Sequence, residues 1–235
     1  MKFYFNILLH HNKFCQKKGV LLTKNCAGFM IKLLNWSLRG SWGLEAIVLA
    51  AGFSSRAKDF KMLLPLGEKS ILEHTISKFE GVCKRVIVVS GYRAEDVQEA
   101  ISQIHSIEIR YVYNENFDLG MFSSIQKGCE EISATEFFIT PGDCPLVKKE
   151  TVQTLARVKE NVVIPSYEHK GGHPIKLTNE VQRAILAAGA DSNLRTILQG
   201  FVKKYVNVDD PGVLMDLDTP EDYKRIIEYY EEQIE

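Results

Sequence analysis

From Glu45 onward the chain alternates short apolar runs with stretches whose apolar residues recur three or four apart. Ala46-Ile47-Val48-Leu49, Val86-Ile87-Val88-Val89, Phe137-Phe138-Ile139 and Val162-Val163-Ile164 are continuous runs bounded by turn residues. That pattern predicts strands buried on both faces. Residues 107–112 and a short segment within 202–208 add two more strands. Between them the spacing turns helical. Ser70 stands at an N-cap with Glu73 at the capping-box position. Ile71, Leu72, Thr75, Ile76 and Phe79 share one face, and Gly81 stops the helix. Further helices are predicted over 94–103, from Ser123 to about Ile132, and over 148–159, 180–188 and 192–198. Thr219 caps a last helix, with Pro220 in its first position, that reaches Tyr230. Strand and helix in regular alternation predict an α/β fold, Rossmann-like, with a mostly parallel central sheet and helices on both faces.

Residues 1–44 do not follow this rhythm. They mix aromatics, Lys and Cys without a sustained period and hold both tryptophans, Trp36 and Trp42. They read as a leader or extension that carries no chemistry, with the working domain over 45–235. The opening Met1-Lys2-Phe3-Tyr4-Phe5 resembles the start of a secretory signal. Asn6 interrupts it, His10-His11 ends it, and no small-residue cleavage site follows closely, which argues against export. No apolar run is long enough to cross a bilayer, so no membrane association is expected.

With 29 Lys and Arg against 30 Asp and Glu, the net charge is −1. No global positive field exists to hold a nucleic acid, so any anion site must be local. The 5 cysteines, Cys15, Cys26, Cys83, Cys129 and Cys144, include no C-x-x-C pair. Zinc knuckles and thioredoxin-type chemistry are therefore not expected, and scattered thiols suit the reducing cytoplasm.

The candidate chemistry gathers at strand ends. After the first strand the chain breaks into Ala50-Ala51-Gly52, then brings Ser54, Arg56 and Lys61. Small residues let a ligand lie on bare backbone, and Gly52 is free to take positive φ. Two cations just beyond suit a polyphosphate, although a plain turn with solvated side chains has the same local composition. Asn114, Gly120, Ser123 and Ser124 lead into a helix whose N-terminus offers a second anion site; ordinary capping by Ser123 is the alternative. Pro141-Gly142-Asp143-Cys144-Pro145 follows another strand, and Asp143 is placed for a metal where ligands of open α/β sheets bind; a turn Asp bonded to its own backbone is the alternative. Asp216 and Asp218 alternate, so in an extended segment they share a face and one or both can complete that metal site. His173 lies in a Gly-flanked loop, a position more often surface than ligand. G-x-G-x-x-G after strand one, G-x-x-x-x-G-K-[ST] and G-x-S-x-G are all absent, against a nicotinamide dehydrogenase, a P-loop NTPase and a serine hydrolase.

Taken together, these pieces resemble the molybdenum-cofactor nucleotidyltransferase family, and within it the cytidylyltransferases. The opening motif L-A-[AG]-G-x-S-x-R-M-G-x-x-K is met by Leu49, Ala50, Ala51, Gly52, Ser54, Arg56 and Lys61, with Leu64-Pro65 after it. G-D-x-P appears as Gly142 to Pro145, G-H-P as Gly172-His173-Pro174, and D-x-D-T-P-E-D as Asp216 to Asp222. The resemblance covers all but the leader. Ala57-Lys58 replaces the usual Met-Gly, which removes a glycine from the loop and adds a charge. The resemblance implies transfer of CMP from CTP to the terminal phosphate of molybdopterin, with Mg²⁺ and with pyrophosphate as leaving group. It implies Arg56, Lys61 and Asp143 as catalytic residues, and Asp143 with Asp218 as metal ligands. Leu49, Ala50, Ala51, Gly52, Ser54, Gly91, Asn114, Gly120, Ser123, Ser124 and Pro145 fall on the nucleotide side, His173 and Pro174 on the pterin side. Ala51, where guanylyl members tend to carry Gly, favours CTP. The partners implied are these small molecules, and a recipient molybdoenzyme or its chaperone. GTP or a sugar phosphate as substrate, or a non-catalytic cofactor carrier, are the competing readings.

Overall fold

The computed structural model describes residues 43–52 and 60–234. Ser54, Arg56 and the Ala57-Lys58 replacement lie outside the described residues, as does all but the end of the expected leader. Strand β1 (Leu44–Ala50) is buried at every position, and its alternating side chains divide the core. Ala46, Val48 and Ala50 face one side, with Val86 and Val88. Ile47 and Leu49 face the other, with Ile87 and Val89. β1 pairs in parallel with β4 (Arg85–Ser90) and β6 (Glu136–Pro141). β4 carries β5 (Glu108–Tyr113) at its outer edge, also parallel. On the far side come β9 (Ile175–Thr178), β7 (Val162–Tyr167) and β10 (Lys203–Asn207). The path across the described sheet is β10-β7-β9-β6-β1-β4-β5, with β8 (Lys170–Gly171) on β7.

Helices cover both faces, as the alternation predicts. On one lie α1 (Ile71–Ser77), α2 (Ala94–Ser102) and α4 (Lys149–Ala156), through Leu72, Ile76, Val97, Ile101, Val152 and Leu155. On the other lie α3 (Met121–Glu131), α5 (Asn179–Ala187) and α6 (Leu194–Gln199), through Phe122, Ile125, Val181, Ile185 and Leu198. The capping box of Ser70 and Glu73 forms in both directions. Thr219 and Asp222 make a second one at the start of α7 (Pro220–Glu232). A satellite cluster of Leu66, Ile71, Leu217 and Ile226 fastens α7 to the hairpin of β2 (Pro65–Leu66) and β3 (Lys69–Ser70). No helix among the described residues is long and apolar enough to cross a membrane.

The structure adds β9, which runs antiparallel to both β6 and β7. The lysine in the middle of Ile175-Lys176-Leu177 masks the strand in the sequence. Lys176 is fully buried and donates to Glu136 (2.6 Å) and to the Val158 carbonyl, so its charge is satisfied inside the sheet.

After β1 the chain places β4 and β5 on one side, then returns to lay β6 on the other. β1 is thus a switch point, and the carboxyl ends of its neighbours open a crevice where ligands bind in such sheets. The Gly142 N–H donates to the Leu49 carbonyl (2.9 Å), which keeps the two strand ends together beyond the ladder.

Candidate active site

Lys61, beyond the loop that follows β1, and Asp143, just past β6, meet in the crevice. Lys61 lies in a short 3-10 turn (Lys61–Leu63), and its Nζ is 2.5 Å from Asp143 Oδ2 and 3.0 Å from Asp218 Oδ1. Asp143 is almost fully buried, and Asp218 is half exposed. Burial works against the Lys61 charge, but Asp143 and then Asp218 outweigh it and hold the ammonium above the ordinary lysine range. Asp218 reaches the site because α7 is docked on the hairpin that follows Lys61. The Tyr223 hydroxyl, for example, donates to the Pro65 carbonyl.

Two cavities adjoin at this pair. The first, of about 290 Å³, is lined by Ala51, Gly52, Phe117, Asp118, Gly120 and Ser124. The second, of about 270 Å³, is lined by Ile125, Thr140, His173, Leu194, Asp216 and Asp218. Leu49, Lys61, Met121, Pro141 and Asp143 line both. The arrangement can therefore hold two ligands side by side, with one cation and one carboxylate where they meet.

The first cavity ends on the N-terminus of α3. Gly120 is its N-cap, at φ +98°, and provides no capping side chain, which suits an anion there. Gly52 is not among the described glycines with positive φ; a Cβ on it would meet nothing within 4 Å. Its use is open backbone rather than a left-handed turn. Asn114 lies behind this wall. It is buried, donates to Ser123 (2.9 Å) and Ser124 (3.0 Å), and accepts from the Asn116 N–H (3.1 Å). Ser123 in turn donates to the Asn116 and Gly120 carbonyls, 2.8 Å each. Gly91 sits beneath Phe117, and a Cβ on it would lie 2.4 Å from the Phe117 Cβ. Ala50, Pro145 and Pro174 are buried and line neither cavity.

In the second cavity the 215–218 segment, which belongs to no helix or strand, presents both Asp216 and Asp218. Partial burial, and then the carboxylates of Asp143, Asp218 and Asp222, raise the Asp216 pKa. Gly172 lets the chain pass here, since a Cβ on it would lie 2.0 Å from the Val213 carbonyl oxygen. His173 follows, with its N–H on that same oxygen (2.9 Å). Burial first, and then the Lys78 ammonium, push the imidazole down to about 4 against the pull of Asp143. His173 is therefore neutral near pH 7. Its Nδ1 is buried with no hydrogen-bond partner among the described residues.

No group of three or more His, Cys, Asp or Glu among the described residues is set to hold a metal ion. The pair Asp143 and Asp218 does converge on a single positive charge, the donor chemistry that a hard divalent cation takes. Sequence reasoning missed Phe117, Thr140 and Leu194, which only folding brings to the walls. It also missed Lys78, beneath the Asp143 loop. Lys78 falls three residues after Thr75 and seven after Ile71, on the buried stripe of α1, and a lysine on such a stripe was the available signal.

Residues 46–208 match the MobA-like NTP transferase domain. The molybdenum cofactor cytidylyltransferase of Escherichia coli K12 is 26% identical over 190 residues, 80% of this chain and 98% of that protein. The probable molybdenum cofactor guanylyltransferase of Bacillus mycoides is 30% identical over 115 residues, 49% of this chain and 56% of that protein. A solved nucleotidyl transferase from Methanothermobacter superposes with a TM-score of 0.71 at 25% identity, covering 82% of this chain and 99% of that one. The matched region spans well over half of the sequence, so the chain is a nucleotidyltransferase belonging to the MobA-like NTP transferase domain family.

Proposed function

We propose that the protein transfers CMP from CTP to the terminal phosphate of molybdopterin or the molybdenum cofactor, and releases pyrophosphate. The observation that carries this reading is the pair of cavities adjoining at Lys61 and Asp143. The nucleotide takes the cavity with Leu49, Ala51, Gly52, Gly120 and Ser124, and the pterin takes the one with His173. A terminal phosphate oxygen forms a bond to the α-phosphorus. The bond from that phosphorus to the bridging oxygen breaks, and its electron pair leaves with pyrophosphate. The attacking phosphate is already ionised near pH 7, so no proton has to be removed. His173, pushed down to about 4, is too weak a base to take up a proton near pH 7, which agrees with this: it orients the acceptor.

Two anions repel as they approach, and the site must offset this. Lys61 turns from Asp143 and Asp218 to the triphosphate, with Arg56 as a second cation. Asp143 and Asp218 would then hold Mg²⁺, which when bound supplies positive charge to the phosphate oxygens. Ala51 on the wall of the nucleotide cavity, and the cytidylyltransferase activity in the name of the E. coli relative, favour CTP over GTP. A recipient molybdoenzyme or its chaperone takes the product, in the cytoplasm.

The test offers each nucleoside triphosphate in turn with Mg²⁺ and either molybdopterin or a sugar phosphate, and detects products by mass. CTP with molybdopterin is expected to yield a pterin-cytosine dinucleotide. A guanine dinucleotide or a sugar nucleotide in its place refutes the substrate assignment. Cofactor binding without turnover on any triphosphate identifies a carrier.

Two variants separate the cavities. Gly91→Ala pushes Phe117 and the Ala51 Cβ, 3.1 Å away, toward the nucleotide. Its KM for CTP rises about tenfold with little change for the pterin, an overpacking effect of about 1–3 kcal/mol. His173→Ala raises the KM for the pterin and leaves that for CTP within about twofold, because lost uniform binding appears in KM. Initial-rate kinetics in both substrates check each result, and interchanged effects refute the two-cavity assignment.

A further inference from the structure

Three consecutive carbonyls around Asp143 are each held by a donor from another part of the chain. The Thr75 hydroxyl donates to Gly142 O (3.0 Å), the Leu217 N–H to Asp143 O (3.1 Å) and the Lys78 ammonium to Cys144 O (2.8 Å). Lys78 ends α1, is 4% exposed and lines neither cavity. Its Nζ also lies 5.6 Å from the centroid of the Phe79 ring. We propose that Lys78 is a positioning residue: from inside the core it fixes the peptide after Asp143 and so aims the Asp143 carboxylate at the junction of the two cavities. This rests on the reading of Asp143 given above.

Stability does not account for a lysine here. A buried ammonium loses its hydration and only its partners offset that cost, so a buried charge is weak evidence for stability. Burial pushes the Lys78 pKa down to about 8, with Cys144, Asp210 and Asp143 pulling the other way. What the lysine adds is a donor reaching Cys144 O and a positive charge near Asp143 that stays when Lys61 turns to substrate. The loop makes this useful. Asp143 is in a turn between β6 and α4, outside any ladder, so its backbone direction depends on the three clamps.

The test uses the full-length protein carrying Lys78→Met, an unbranched side chain one atom shorter that removes both charge and donor. Two readouts are taken: Mn²⁺ affinity of the free protein by electron paramagnetic resonance, with Asp143→Asn as the reference for loss, and steady-state kinetics. The expected result is a folded protein whose melting temperature falls, because Cys144 O loses its donor, and whose Mn²⁺ affinity falls at least fivefold. Its kcat falls 10- to 100-fold, with the KM for CTP within threefold. A purely structural lysine gives a lower melting temperature with unchanged Mn²⁺ affinity and unchanged kcat per folded molecule, and that overturns the proposal. If Lys78→Met does not fold, the same readouts on Lys78→Gln decide. Failure of both to fold marks the lysine as structural and also overturns it. Wild-type protein that binds Mn²⁺ through Asp143 but transfers no nucleotide refutes the proposed reaction and leaves the Lys78 test intact through the affinity readout.

Discussion

Asp143→Asn and Lys61→Ala each lower kcat for pyrophosphate release by about 10²–10³-fold, a loss of roughly 3–4 kcal/mol in the transition state, while both variants stay folded. The reason lies in where charge develops. As the bond to the leaving pyrophosphate breaks, negative charge grows on oxygens at the junction of the two cavities, and Lys61 and Asp143 are the charged groups that line both. In the free protein they neutralise each other at 2.5 Å. On the proposed reaction they act apart once substrate is bound, Lys61 on phosphate and Asp143 on the metal. The double variant tests this separation. Two groups that served only each other would lose no more together than either does alone. Two groups with distinct tasks lose clearly more together. Folding survives because the site stands at the rim of the sheet. The raised Lys61 pKa contributes stability that is complete below the ordinary lysine value of 10.5; it is lost only as pH rises through the higher value of the folded protein. Stopped assays of pyrophosphate release check the rates, and circular dichroism the fold. Either single variant within threefold of wild type contradicts the assignment.

Glu45→Ala costs about 3–5 kcal/mol of folding stability, the magnitude for removing one partner of a buried charge cluster. The Glu45 side chain is fully buried at the start of β1. It accepts from the Ser133 N–H (2.7 Å), the Ala134 N–H (3.0 Å), the Ser133 hydroxyl (2.9 Å) and Arg85 Nε (2.8 Å), with Lys84 Nζ at 3.1 Å. One carboxylate thus joins the starts of β1 and β4 to the loop entering β6. Removing it leaves two backbone donors and a guanidinium without their acceptor. Acid acts in the same direction. Burial raises the Glu45 pKa, but the hydrogen bonds from Ala134, Ser133 and Lys84 win and hold it below 4.5. Its stabilisation is complete above that value and is lost as pH falls through the lower folded-state value. Urea titrations at pH 7 and pH 4 therefore show wild type losing more stability than Glu45→Ala over that interval. Equal losses refute the role of Glu45 in the acid limb.

Much of this is readable in the linear chain. The capping boxes at Ser70 and Thr219 use contacts three residues apart, so they can be read without the fold. The apolar runs of β1, β4, β6 and β7 are strand signals because a strand buried on both faces needs no polar side. Lys176 hid β9 for the opposite reason: its partner, Glu136, lies 40 positions away, and until that pair is seen a central lysine argues against a buried strand. Lys78 escaped in the same way, since its acceptor is on another loop.

Apart from β9 and the two-residue strands β2, β3 and β8, the order of strands and helices follows from local pattern, because hydrophobic period and capping are short-range properties. The motif residues Leu49 to Gly52, Lys61, Asp143 and Asp216 to Asp218 are equally legible, each at the end of an element. Which of them meet was decided by tertiary structure. Lys61 and Asp218 stand 157 residues apart in the chain, and they touch because Ile226 of α7, with Leu217 just before the helix, packs on the hairpin after Lys61. The division into two cavities, and the clamp beneath Asp143, likewise arise from side chains far apart in sequence. Their distances are set by the packing of whole elements, a quantity that no local pattern contains.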